Sequence, residues 1–104
     1  MSTVVKNSVF GRRLKDARTA LGLAQDKLGV MIGLDESCSS ARMSRYENGV
    51  HAPAFEIVEK LAEVLNLPAS YFYCDDDDLA ELLVMYHQAN NDMKKRIVQA
   101  IKSL

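Results

Sequence analysis

Apolar residues in this chain return every three or four positions, and the runs are closed by glycine or asparagine. Phe10, Leu14, Ala17 and Leu21 recur at spacings of 4, 3 and 4, with Gly22 after them. Leu28 and Ile32 lead to Gly33, Met43 and Tyr46 to Gly49, and Ile57, Val58, Leu61, Ala62 and Leu65 to Asn66. That period is the signature of amphipathic helices, and glycine or asparagine is their usual stop. Pro68 suits the start of a very short fifth helix, with Tyr71 and Phe72 turned inward. Leu79, Leu82, Leu83 and Tyr86 mark a sixth helix, and Met93, Ile97, Ala100, Ile101 and Leu104 a last one. No strand is indicated, so the fold class is all-α.

The totals narrow the function. A hydrophobic share of 48% and a charged share of 26% are ordinary for a globular domain, and 104 residues allow one modest core. Net charge is −1, so nothing global marks a nucleic-acid binder. The distribution is uneven, however. Residues 1–53 hold eight Lys/Arg against five Asp/Glu, and residues 54–104 hold five against nine. The basic half is the one to bring near a polyanion, because local fields steer association. No apolar run approaches the roughly 20 residues of a membrane span, and no secretory signal pattern opens the chain. Cys38 and Cys74 are too few for a disulfide framework and read as reduced thiols of a cytoplasmic protein. With His51 and His87 they match no zinc spacing. A calcium loop counted from Asp75 would place Ala80 and Tyr86 where Gly and Glu are needed. The expectation is therefore no metal and no cofactor. No nucleophile–base set or phosphate-cradling glycine loop can be assembled either, so the chain reads as a non-enzyme.

One short helix carries the candidate chemistry: Ser39-Ser40-Ala41-Arg42-Met43-Ser44-Arg45-Tyr46-Glu47-Asn48-Gly49. Ser37, Ser39 and Ser40 offer side-chain oxygens to cap it. Met43 and Tyr46, three apart, share the anchored face. Arg42 and Arg45 share a neighbouring face, either merely solvated or aimed at a groove lined with phosphates and guanine edges. Arg18 interrupts the apolar stripe of the first helix and needs a carboxylate partner. Gly29, unfavourable within a helix, implies close approach of another helix.

Taken together, Phe10-Gly-Arg-Arg-Leu-Lys-Asp-Ala-Arg18, Leu21-Gly-Leu-Ala-Gln25, Leu28-Gly29, Ile32-Gly33, Met43-Ser-Arg-Tyr-Glu-Asn-Gly49, Pro53, Leu61-Ala62 and Leu65 form one pattern. It resembles the Cro/lambda-repressor-like (XRE-type) helix-turn-helix family over about residues 9–74. The resemblance implies a compact five-helix DNA-binding domain at 9–74, after an N-terminal tail at 1–8 and before a C-terminal helical hairpin at 75–104. It implies that Gln25 contacts a DNA phosphate, and that Ser39, Ser40, Ala41 and Arg45 meet base edges or nearby backbone. Arg42 and Asn48 fall at positions used for backbone contact. It also implies a structural salt bridge between Arg18 and Glu47, partly buried. Arg45 can grip guanine O6 and N7 with both arms of its guanidinium, and Ala41 can touch a thymine methyl.

The chain departs from the family pattern in two places. Gly33 to Ser44 spans eleven positions where seven is common, so the turn before the third helix is four residues longer and contains Asp35 and Glu36. The addition either lengthens that helix backwards or forms a loop. Ala24 stands where a capping Ser, Thr or Asn is usual. In the hairpin, Leu82, Leu83, Val84, Met85 and Tyr86 are more apolar surface than one partner helix can hide, which points to dimerisation through Leu82, Leu83, Tyr86, Ile97 and Ile101, the alternative being that the hairpin folds back on the domain. The expectation is a sequence-specific double-stranded DNA-binding regulator, a homodimeric repressor with no membrane association. The alternative is an antitoxin-like or adaptor protein whose C-terminal helices bind another protein.

Overall fold

Ser8 accepts a hydrogen bond from the Gly11 N–H at 3.1 Å and so caps the first helix, α1 (Val9–Ala20). The computed structural model describes residues 8–104. The expected tail at 1–8 therefore lies outside the described residues except for Ser8, which belongs to the folded unit as a cap. After α1 come α2 (Gln25–Met31), α3 (Glu36–Glu47), α4 (Phe55–Leu65), a 3-10 turn (Ala69–Tyr73), α5 (Asp77–Gln88) and α6 (Asn91–Lys102). Among the described residues there is no strand, and no helix is long and apolar enough to cross a membrane. The stops at Gly33 and Asn66 take φ of 94° and 55°, the left-handed backbone those residue types tolerate. Ala24 precedes α2 without any side-chain cap.

The periodic residues build one core. Leu14, Leu28, Met43, Val58, Leu61 and Phe72 are fully buried, with Ile32, Tyr46, Leu65 and Tyr71 around them. Leu21, which the spacing assigned to this face, is instead 58% exposed at the end of α1. Two glycines set how closely the helices meet. A Cβ on Gly11 would lie 2.2 Å from the Glu47 carbonyl oxygen, and one on Gly29 would lie 1.9 Å from Ser39 Oγ. The close approach expected at Gly29 is thus to α3.

α5 joins this unit through one buried side chain, Ala80, and an ionic clamp on α1. Arg13, which the helical period places on the solvent side of α1, is only 5% exposed. Its Nε donates to the Cys74 carbonyl (2.8 Å), its Nη2 to Asp77 (2.9 Å), and its guanidinium lies 5.7 Å from the centre of the Tyr71 ring. Arg12 reaches Asp77 at 2.9 Å and Asp75 at 3.3 Å. Of the four-aspartate run, Asp76 caps α5 through the Leu79 N–H while Asp77 serves the clamp.

Hydrogen bonds from Arg12 and then Arg13 hold the Asp77 carboxyl below the ordinary carboxylate range. A depressed carboxylate contributes stability that is complete above its unfolded pKa, about 3.9, and lost as pH falls through its lower folded value. Carboxyl carbon resonances followed through an acid titration are therefore expected to show Asp77 protonating below a free aspartate. Release of α5 from α1 should accompany that step.

α6 stands apart. None of its residues is buried. The radius of gyration is 15.3 Å, against about 13 Å for a compact chain of this size. α6 is nevertheless well started, since Asn90 caps it by accepting from the Met93 N–H at 2.8 Å.

Candidate nucleic-acid interface

α3 is sorted by its own period into a held face and a free one. Ser39, Met43, Tyr46 and Glu47 are buried and point towards α1, α2 and the core. At 3.6 residues per turn, the side opposite them carries Ser37, Ala41, Arg45 and Asn48 in one stripe, with Ser40 and Arg42 on its two flanks. All six are exposed. Ser44, beside the stripe, is half-buried and its Oγ accepts from Asn48 Nδ2 at 3.1 Å. Neither Arg42 nor Arg45 takes part in an ion pair among the described residues. Both guanidinium groups are available to an anion.

Ser39 must be removed from the set of groove-facing candidates. It is 0% exposed, and its hydroxyl donates to the Asp26 carbonyl oxygen at 2.7 Å. It ties α3 to α2 and cannot reach a base. Ser37 takes its place in the outward stripe, one turn before Ala41. The four-residue addition has been absorbed by lengthening α3 backwards, so the helix starts at Glu36 and not near Ser39. Its cap is Asp35, whose Oδ1 accepts from the Ser37 N–H at 2.8 Å and the Ser37 Oγ at 2.6 Å. Those bonds, the hydroxyl first and the N–H second, lower the Asp35 pKa. That carboxylate is engaged with the helix end. Glu36 lies beside Lys27 and Met31 of α2. Of the two acidic residues of the longer turn, Asp35 is thus engaged at the helix end with Ser37, and Glu36 lies beside α2.

Three elements converge on Glu47. Arg18 Nε approaches its Oε2 at 2.5 Å and Arg18 Nη2 its Oε1 at 3.1 Å, while Arg18 Nη1 donates to the Leu23 carbonyl at 2.7 Å. The side chains are 12% and 3% exposed. The hydrogen bonds from Arg18 to Glu47 hold the guanidinium above its ordinary pKa, against the opposing effect of burial. Gln25 Nε2, at the first residue of α2, also donates to Glu47 Oε1, at 3.1 Å. The half-buried Gln25 therefore stands at the α2 N-terminus, where positive helix-end potential favours an anion. The structure brings Gln25, Arg18 and Glu47 together and puts Ser40, Ala41, Arg42, Arg45 and Asn48 on the open side of α3. Leu82, Leu83, Tyr86, Ile97 and Ile101 lie on α5 and α6 and line one apolar groove.

Residues 9–70 match the model of a helix-turn-helix domain family. Uncharacterized HTH-type transcriptional regulators of Sinorhizobium medicae (strain WSM419) and Rhizobium meliloti (strain 1021) are each 31% identical over 65 residues, covering 62% of this chain and 44% of theirs. The chain thus spans less than half the length of these curated relatives. The crystal structure of the transcriptional regulator BswR is 41% identical, with a TM-score of 0.86 over 90% of this chain and 93% of that one. The chain belongs to the Cro/lambda-repressor-like (XRE-type) helix-turn-helix family of transcriptional regulators.

Proposed function

We propose that this protein binds double-stranded DNA in a sequence-dependent way, as a homodimer that lays α3 of each copy in the major groove and represses transcription by occupying its site. One observation carries the reading. α3 presents Arg45, Arg42 and Ala41 on an open face while its other face is held by Met43, Tyr46 and the Glu47 network. A reading helix needs that combination, because contacts to base edges discriminate only when the helix is fixed against the backbone. Arg45 reads guanine, Ala41 meets thymine, and Gln25, Arg42 and Asn48 hold phosphates.

A titration with random-pool duplexes tests this. Affinity should fall steeply as salt rises, because phosphate contacts release counterions. Arg45→Ala should flatten preference at one base pair per half-site, a loss of about 1–3 kcal/mol of discrimination. Gln25→Ala should weaken all duplexes alike. Absence of duplex binding, or binding indifferent to both changes, would overturn the assignment. The antitoxin-like or adaptor reading draws only on the apolar C-terminal helices and gives α3 no task.

A further inference from the structure

An apolar surface that the domain core does not use lies between and beside α5 and α6. A cavity of about 210 Å³ there is lined by Leu79, Leu83, Tyr86, Ile97 and Ile101, almost without polar atoms. Leu82, which also lines it, is 44% exposed, and outside it Met85 on α5 and Met93 on α6 are 59% and 43% exposed. A 12-residue helix with no buried residue is marginal by itself in water, where about 12–15 residues are needed even for good helix formers. α6 therefore needs a surface to lie on.

Charge identifies that surface. α5 opens with Asp77 and Asp78 and carries Glu81 one turn on, whereas α6 carries Lys94, Lys95, Arg96 and Lys102 against a single Asp92. Asp77 is taken by Arg12 and Arg13, but Asp78 and Glu81 on α5 and the four cations of α6 enter no ion pair among the described residues. Lys94 sits 5.6 Å over the Tyr86 ring, and no ion pair joins the two helices among the described residues. Asp78 and Glu81 flank the uncovered Leu82 and Met85, and Arg96 flanks the uncovered Met93, by helical spacing.

We propose that the occupant is a second copy of this chain, in a reciprocal exchange: the basic α6 of each protomer lies along the acidic α5 of the other and closes the apolar groove. A twofold axis makes the contact twice, as an isologous interface requires. The exchange rests on the homodimer reading above and specifies which helix meets which.

Two charge-reversed chains test it, with mass read by sedimentation in the absence of DNA. One carries Asp78→Lys and Glu81→Lys, leaving both helices basic. The other carries Lys95→Glu and Arg96→Glu, leaving both acidic. The wild-type chain is expected to sediment as two chains. Each variant alone should self-associate at least about tenfold more weakly, because like charges face each other twice. An equimolar mixture should recover a one-to-one pair, since every α5–α6 contact is then between opposite charges. Ile101→Ser, at a residue already 57% exposed, should weaken the wild-type pair without unfolding it. Variants that self-associate as the wild type does, or that fail to pair when mixed, overturn the exchange. A wild-type chain that stays single overturns both the exchange and the homodimer, while base preference at Arg45 is judged separately on duplexes.

Discussion

Gly11→Ala is expected to cost about 3 kcal/mol, at the upper end of what overpacking does, in a domain whose whole stability is of the order of 5–15 kcal/mol. Alanine would ordinarily strengthen a helix interior by about 1 kcal/mol over glycine, so a loss reports sterics alone. The added methyl group would meet main chain: the Glu47 carbonyl oxygen at 2.2 Å, its carbon at 2.8 Å and the Tyr46 oxygen at 3.1 Å. None of these can rotate aside, so α1 and the C-terminal end of α3 must separate. Gly29→Ala is the informative contrast, because its nearest obstacle is the Ser39 side chain at 1.9 Å. Ser39→Ala should partly restore a Gly29→Ala protein, whereas no side-chain change should restore Gly11→Ala. Urea midpoints at a common slope check both. An unchanged midpoint for Gly11→Ala would show that the two helices do not meet as described.

Glu47→Ala should cost about 3 kcal/mol or more, the range for breaking a buried ion pair from one side. The loss would leave the Arg18 guanidinium, 12% exposed, without its carboxylate and Gln25 without its acceptor. Arg18→Ala should cost a similar amount. The double variant should cost much less than the sum, since the second deletion removes a group already stranded. Glu47→Gln keeps the shape and an acceptor oxygen, and should fall between. These losses should change little with salt, because screening acts weakly on buried pairs. The exposed Asp75 and Asp77 clamp on α5 should loosen as salt rises. A double-mutant cycle by chemical denaturation reads the coupling; additive losses would deny that Arg18 and Glu47 act as a unit.

The period of the apolar residues located the helices because most of them pack through one face, and it failed where a residue is buried by something distant. Arg13 reads as an outward residue of α1. It is covered because the 3-10 turn and Cys74, some sixty positions on, pack across it, and no local spacing announces that. Arg18 did announce itself, by breaking an apolar stripe, although its partner 29 residues away came from family resemblance and not from the stripe. Ser39 is the instructive miss. The family resemblance makes it a groove contact, yet it lies four residues before Met43 and so shares Met43's buried face. The same count of four, run from Ala41, would have put Ser37 on the outward side. Asp35, and not one of the three serines, caps α3 because the helix begins at Glu36, further back than the serines suggest.

The added turn of α3 has a consequence for how such a helix can change. Four residues wind through about 400°, only 40° beyond a full circle, and add about 6 Å along the axis. Ser39 therefore still falls in phase with Met43 and Tyr46, and the new first turn continues the old one. An addition of two residues would leave the new turn about half a circle out of register, with Ser37 driven against α2. Growth at this end is consequently quantised. The helix can lengthen by about a whole pitch at a time, and intermediate lengths would have to run out as loop.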